Sequence, residues 1–380
     1  MDGGGLSLTG RRASPGRSPD LVLFGTTLAL LVIGIVTVFS ASYTTGLREF
    51  GDPYYYVKRQ ILWAALGVIA LVIVMHVDYR VWRRWSVAGL LLAVLLLGLV
   101  LVIGTEAGGG RRWIRVGPLS MQPSELAKLA VVNFLAAYIA AQGGGIRRLF
   151  QGFLFPMAVV GFIFLLILAE RDFGTSVALG LNAVVMLFAA GAQLWHLGLI
   201  ALVAVPGLFL LIYLEPYRMR RITSFLNPWA DPLGAGWNII QSLYAIGSGG
   251  LFGLGLGAGR QKFAYLPEQH TDFIYAVLGE EMGFLGTATV ALLFFVFAWR
   301  GYRTALRAPD LYGAMLAVGL TSMIVLQAFI NMGVVTGSMP VTGITLPFIS
   351  AGGSSLLVTL AAIGVLLNVS RAAEEGRPGS

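Results

Sequence analysis

Apolar residues in this chain come in long unbroken runs rather than in alternation. Ten runs stand out, at about residues 21–42, 57–75, 86–103, 124–141, 153–169, 174–191, 194–214, 272–298, 311–335 and 353–369. Each approaches the ~20 residues a helix needs to cross about 30 Å of hydrocarbon. Continuous rather than alternating hydrophobicity excludes a transmembrane β-barrel. The pattern predicts an all-α, polytopic integral membrane protein with ten transmembrane helices in one domain, residues 21–370. Residues 1–20 and 371–380 read as disordered cytoplasmic tails. The first run is too long for the apolar core of a signal peptide, and no small-residue cleavage site follows it. The longest polar interval, residues 215–271, forms one large loop.

Composition agrees with a membrane protein: 57% of residues are hydrophobic, 12% are charged, and the mean hydropathy is +0.81. The absence of cysteine removes disulfides, thiolate chemistry and Cys-ligated metals. The net charge of +8 rests on 23 Arg and 3 Lys. Anionic lipid head groups account for it, so no nucleic acid is invoked. Arg80, Arg83, Arg84, Arg147, Arg148, Arg300, Arg303 and Arg307 crowd the connectors that are inside if both ends are cytoplasmic. That orientation makes 215–271 extracytoplasmic and leaves an excess of basic residues outside, which an anionic substrate on that face would explain. No GxxxxGK[ST] motif is present, and no extramembrane segment is large enough for a nucleotide-sugar or ATPase domain. Any reaction takes place at the membrane surface, on substrates that arrive there.

Candidate chemistry concentrates in GSGGLFGLGLGAGRQKFAYLPEQHTD, which runs from Gly247 to Asp272. Arg260, Lys262, Glu268, His270 and Asp272 converge at the lip of a span. Charges there are costly and hence functional candidates. Asp272 is either a helix cap or a base able to take a proton from a hydroxyl nucleophile. Gly253, Gly255, Gly257 and Gly259 follow no strand, so a dinucleotide site is excluded. Close packing on the membrane domain and a phosphate cradle of N–H groups stay equally open. Residues 237–246 have the spacing of an interfacial helix with Gln241 on its polar side. Glu280 and Glu281 cannot both face one cavity on a regular helix, and Gly279 with Gly283 forms a small-xxx-small packing step.

Glu125 and Lys128 share a helix face as an i, i+3 pair. They form either an internal ion pair or a site where Lys128 meets a substrate phosphate. Arg111, Arg112 and Arg115 suit a diphosphate clamp or a belt of lipid head groups. The stretch from Asn331 to Ser355 is dense in Gly, Pro, Ser and Thr. Such broken backbone at membrane depth is tolerated only against protein or a cavity.

RWIRVGPLSMQPSELAK (112–128), QSLYAIGSGGLFGLGLGAGRQKFAYLPEQHTDFIYAVLGEE (241–281) and NMGVVTGSMPVTGITLPFISAGGSSL (331–356) together resemble the SEDS family (shape, elongation, division and sporulation). The resemblance runs from about residue 21 to 370. PYYYVKRQ (53–60) and NMGVVTG are similar to its FtsW-like division and sporulation branch. The resemblance implies a multi-pass peptidoglycan glycosyltransferase of the bacterial cytoplasmic membrane that polymerises lipid II into undecaprenyl-linked glycan. It implies a class B penicillin-binding protein as transpeptidase partner. The family's loop aspartate falls on Asp272. Candidate substrate-binding residues are Arg111, Arg112, Arg115, Glu125, Lys128, Gln241, Arg260, Lys262, His270, Ser354 and Ser355. No cofactor is evident. Some sites of this type use a divalent cation, but the sequence shows no ligand set. Two departures stand out: Ala351 replaces the usual Tyr of ISYGGSS, and Glu170-Arg171-Asp172-Phe173-Gly174-Thr175 varies PDLGT. A lipid II flippase or secondary transporter would share the spans and charges, and so would a scaffold. A polymerase predicts a lateral, apolar-walled opening to the outer face, bordered by 215–271 and the eighth span, with the inner half closed.

Overall fold

A computed structural model describes residues 18–107, 110–116, 119–259 and 266–375. The helices are α1 (Leu21–Phe50), α2 (Tyr55–Met75), the short α3 (Tyr79–Arg84), α4 (Ser86–Ile103), α5 (Pro123–Gln142), α6 (Phe155–Ala169), α7 (Phe173–Ala189), α8 (Leu194–Tyr213), α9 (Pro216–Leu226), α10 (Trp237–Gly249), α11 (Ile274–Arg307), α12 (Leu311–Val335) and α13 (Gly353–Glu375). Among the described residues, nine helical stretches are long and apolar enough to cross a membrane, and α7 is a shorter apolar helix. The chain is a multi-pass helical membrane protein. A small sheet joins α4 to α5: β1 (Thr105–Ala107), β2 (Gly110–Val116) and β3 (Leu119–Met121) pair antiparallel in that order.

Helices with few charges must satisfy polar groups internally, because lipid offers no hydrogen bonds. Along α1, Thr26, Thr27 and Thr37 donate to the carbonyls of Val22, Leu23 and Ile33, one turn back. Association rests on small residues that let neighbours approach. Gly67 of α2 lies under Leu360 of α13, Gly319 of α12 faces Val132 and Met186, and Gly301 of α11 faces Thr321. The core runs through α12, which is buried along most of its length. At the opposite extreme, α8 buries only His196, at its first turn.

The 215–271 interval is largely structured. Rather than resting on lipid alone, α10 buries Ile239, Ile240, Gln241, Ser242, Ala245 and Gly249 against the bundle. The glycine-rich segment that follows enters the hydrogen-bond ladder of α11. Gly283 has φ 65° and ψ −163°, which interrupts that helix. The amides of Phe284 and Leu285 donate to the carbonyls of Gly250 and Leu251, at 2.8 and 3.1 Å. The carbonyls of Glu280 and Glu281, their ordinary helical partners, accept instead from Leu254 and Gly255, each at 3.0 Å. Segment 250–255 therefore replaces a broken helical turn without orphaning a backbone group. A Cβ at Gly253, itself at φ 81°, would overlap the Glu281 carbonyl. The Leu254 and Gly255 amides are thus consumed by packing, which decides against a phosphate cradle there.

Glu280 and Glu281 are both buried, and Ser40 of α1 donates to Glu281 Oε1 at 2.6 Å. Residues 336–352 run without helix between α12 and α13, the broken backbone that the Gly/Pro/Ser/Thr density predicts. Helix α11 begins at Ile274, which leaves Asp272 just outside the span.

Candidate active site

One cavity of about 850 Å³ opens where the ends of α6 and α8 meet the starts of α5, α7, α11 and α13. Asp272 lies on its wall. The residue that caps α11 is Phe273, without a side-chain bond, so the cap reading of Asp272 does not hold. Its backbone is clamped from residues 331–351. Asn331 Nδ2 donates to the Asp272 carbonyl at 2.8 Å and to the Ile344 carbonyl at 2.7 Å. Ser350 Oγ donates to the Thr271 carbonyl at 2.6 Å, and the Ala351 amide to the His270 carbonyl at 2.9 Å. The side chain is half-buried, and it lines the cavity. Burial, reinforced by Glu268 and Asp172 and opposed by Arg221 and Arg112, pushes the carboxyl up to about 7.

Cations surround this acid. Arg112 and Arg115 come from β2, Arg171 from the α6–α7 corner, and Arg218 and Arg221 from α9. Arg112 donates to the carbonyls of Glu170 (3.3 Å) and Arg171 (2.5 Å), which fixes the corner against the sheet. Arg218 lies over the Phe173 ring, and Arg221 donates to Tyr217 and to the Val341 carbonyl. At the floor, Lys128 pairs with Glu125 at 3.0 Å and donates to Gln327 Oε1 at 2.7 Å. Ser355 donates to Glu125 Oε2 at 3.0 Å. The pair is a buried ion pair, and it also lines the cavity. Asp172 accepts from the Thr175 amide and from Gln122 Nε2, both at 3.1 Å.

Of the sequence candidates, Asp272, Arg112, Arg115, Glu125, Lys128 and Ser355 share the cavity. Arg111 does not, because it sits opposite Glu106 in the β1–β2 register and pairs with it at 3.1 Å. Gln241 is buried on α10 away from the cavity. His270 packs on Tyr56, with ring centroids 4.4 Å apart, and burial lowers its affinity for a proton. Ser354 accepts from the Gln122 amide at the start of α5 and positions that turn. Arg260 and Lys262 lie outside the described residues. Sequence reasoning missed Arg171, Asp172, Arg218, Arg221 and Gln327. Two signals were readable: the i, i+3 spacing of Arg218 and Arg221 on an amphipathic stretch, and the departure from PDLGT that contains Arg171 and Asp172. Of the eighth span, 272–298, only its first two residues, Asp272 and Phe273, line the cavity. Ala178 of α7, Ile212 of α8 and Ile222 of α9 form the apolar wall instead. Among the described residues no group of three metal-ligating side chains is assembled.

The cell cycle protein family of FtsW, RodA and SpoVE matches residues 21–375. The chain belongs to that family. Its FtsW/RodA/SpoVE relatives include stage V sporulation protein E of Bacillus subtilis (strain 168), 51% identical over 93% of this chain and 97% of the relative. A probable peptidoglycan glycosyltransferase FtsW of Geobacter sp. (strain M18) is 45% identical over 92% of this chain and 96% of its own. Among solved structures, the rod shape determining protein RodA of Thermus thermophilus aligns with TM-score 0.70 at 30% identity, over 93% of this chain and 97% of RodA. A chain from work on structural coordination of polymerization and crosslinking by a peptidoglycan synthase complex aligns with TM-score 0.77 at 32% identity, covering 93% and 98%. The RodA-like fold thus spans nearly the whole chain.

Proposed function

We propose that this chain is a peptidoglycan glycosyltransferase that polymerises lipid II at the outer face of the bacterial cytoplasmic membrane, beside a class B penicillin-binding protein. The observation that carries the proposal is Asp272, a carboxyl poised near neutrality in a cavity lined by five arginines. A carboxyl at that value is an effective general base at working pH. It takes the proton of the acceptor sugar hydroxyl as the oxygen bonds to C1 of the donor sugar. The C1–oxygen bond to undecaprenyl diphosphate breaks in the same displacement, which inverts C1. Arg112, Arg115, Arg171, Arg218 and Arg221 offset charge on the departing diphosphate. The lipid tail stays in the bilayer beside α8, whose apolar surface is almost wholly unburied.

The test is purified protein in liposomes, with and without the partner, given labelled lipid II. Polymer formation by the native chain and none by Asp272→Asn supports the reading. Equal polymer from both would remove Asp272 from catalysis, and transbilayer movement of lipid II without polymer would replace the enzyme by a flippase.

A further inference from the structure

A second cavity of about 250 Å³ adjoins the first and is lined by Leu101, Glu106, Gly110, Arg111, Ala169 and Arg171. Its two halves differ in chemistry. Leu101 and Ala169, at the sheet-side ends of α4 and α6, supply an apolar floor, and Val102, Ile103 and Leu165 on the same two helices are exposed. Arg111 and Arg171 supply the cationic upper wall. Glu106 pairs with Arg111, but both side chains are at least half exposed, and such a pair contributes little and yields to a stronger anion. An apolar lower wall under paired guanidinium groups is the shape that a lipid phosphate fills.

Arg171 lines both cavities. Its φ of 62° is left-handed, which a residue with a Cβ adopts only when its surroundings impose it. Here Arg112 imposes it by holding the carbonyls of Glu170 and Arg171, one on each side of the Arg171 Cα. A Cβ at Gly110 would overlap the Glu170 carbonyl, so the sheet sits directly on this corner. The corner carries one guanidinium to the wall between the cavities.

We propose that the second cavity is a binding subsite for the phosphate of a membrane lipid with a small head group, joined to the main cavity through Arg171. A cavity of about 250 Å³ is below the usual size of a pocket for a drug-sized ligand, which suits a small head group. Two lipids meet the description: an anionic phospholipid, and the sugar-free carrier diphosphate that glycosyl transfer releases. The second source rests on the proposed glycosyltransferase reading; phosphate binding itself does not. As a carrier subsite it takes the leaving diphosphate from the main cavity and frees that cavity for the next donor.

The test is equilibrium binding of radiolabelled undecaprenyl diphosphate to the full chain in phosphatidylcholine nanodiscs, which needs no turnover. The native chain binds a second equivalent beyond the main cavity. Arg111→Glu loses it, Arg111→Lys keeps it, and Glu106→Gln tightens it by roughly tenfold, the scale of one charge-assisted contact. Displacement of only the second equivalent by added phosphatidylglycerol assigns the subsite to bulk head groups, and resistance assigns it to the carrier. A single equivalent on the native chain, or two on a folded Arg111→Glu variant, overturns the subsite. Loss of polymerase activity alongside two-site binding would instead defeat the glycosyltransferase reading and leave the subsite standing.

Discussion

Asp272 is held by its backbone and tuned by its surroundings. Asn331, Ser350 and Ala351 fix the main chain around it, while burial and neighbouring carboxyls raise its proton affinity. A base works in its ionised form, so the polymerisation rate should rise as pH passes through about 7 and level off above it. Below that value the rate should fall about tenfold per unit, read as initial rates on labelled lipid II. The fold has the opposite preference. A carboxyl raised above its ordinary 3.8 stabilises the folded protein at low pH, and that contribution is lost as pH climbs through about 7. Asp272→Asn should therefore reduce turnover by ~10²–10⁴-fold or more while leaving the melting temperature unchanged or higher above neutrality. A melting temperature that drops with the rate would make the residue structural. The arginines admit a graded test. Arg112→Gln, Arg218→Gln and Arg221→Gln should each weaken turnover by ~10–100-fold, the worth of a charged hydrogen bond. Arg111→Gln should cost far less, because that side chain turns toward Glu106.

At the scale of elements, the spans were legible because hydrocarbon thickness imposes their length, and continuous apolar runs have one reading. What the pattern could not show was where an element is interrupted by another distant in sequence. Gly279 and Gly283 carry the same small-xxx-small spacing, yet Gly279 packs against Ile246 whereas Gly283 is a break. The difference lies in amides and carbonyls of residues 250–255, some thirty positions upstream, and backbone groups leave no mark on a hydrophobicity profile. The same holds for the site: Asp272 was visible as a charge at a span's lip, but the turn of Arg111 away from Arg112 follows from a three-stranded sheet that short runs do not announce. Gly253→Val should expose the insertion. It places a Cβ at φ 81° against the Glu281 carbonyl, and left-handed strain alone costs ~1–3 kcal/mol. Gly247→Ala, in open space on helical α10, should be neutral or stabilising. Thermal melting in detergent should separate the two, and equal midpoints would refute the inserted segment.

Across the whole molecule, the main cavity opens at one end only of the helices that line it. The cavity, its arginines and its carboxyls sit where α5, α7, α11 and α13 begin, and Lys128 with Gln327 is as deep as its lining reaches. At the other end the elements are tied shut. Tyr79 and Arg80 bond Asp310, Tyr312 bonds Asn133, Asn133 bonds the Trp82 carbonyl, and Asn368 bonds the Met75 carbonyl. Arg300 pairs with Asp20 at 2.6 Å where α1 begins. A polymerase needs this asymmetry, since its substrate's head group enters from one side and its product leaves there. A transporter needs a route that opens to each side in turn. The native chain has no cysteine, so single cysteines report access cleanly. Thr342→Cys and Ala178→Cys, in the cavity wall, should react with a membrane-impermeant thiol reagent added outside intact cells, and added lipid II should protect them. Neither should react from the cytoplasmic side of inverted vesicles, with or without substrate. Labelling of Thr342→Cys from the cytoplasmic side that appears only with lipid II would show the inner end opening, and would turn the cavity from a one-sided active site into a transport path.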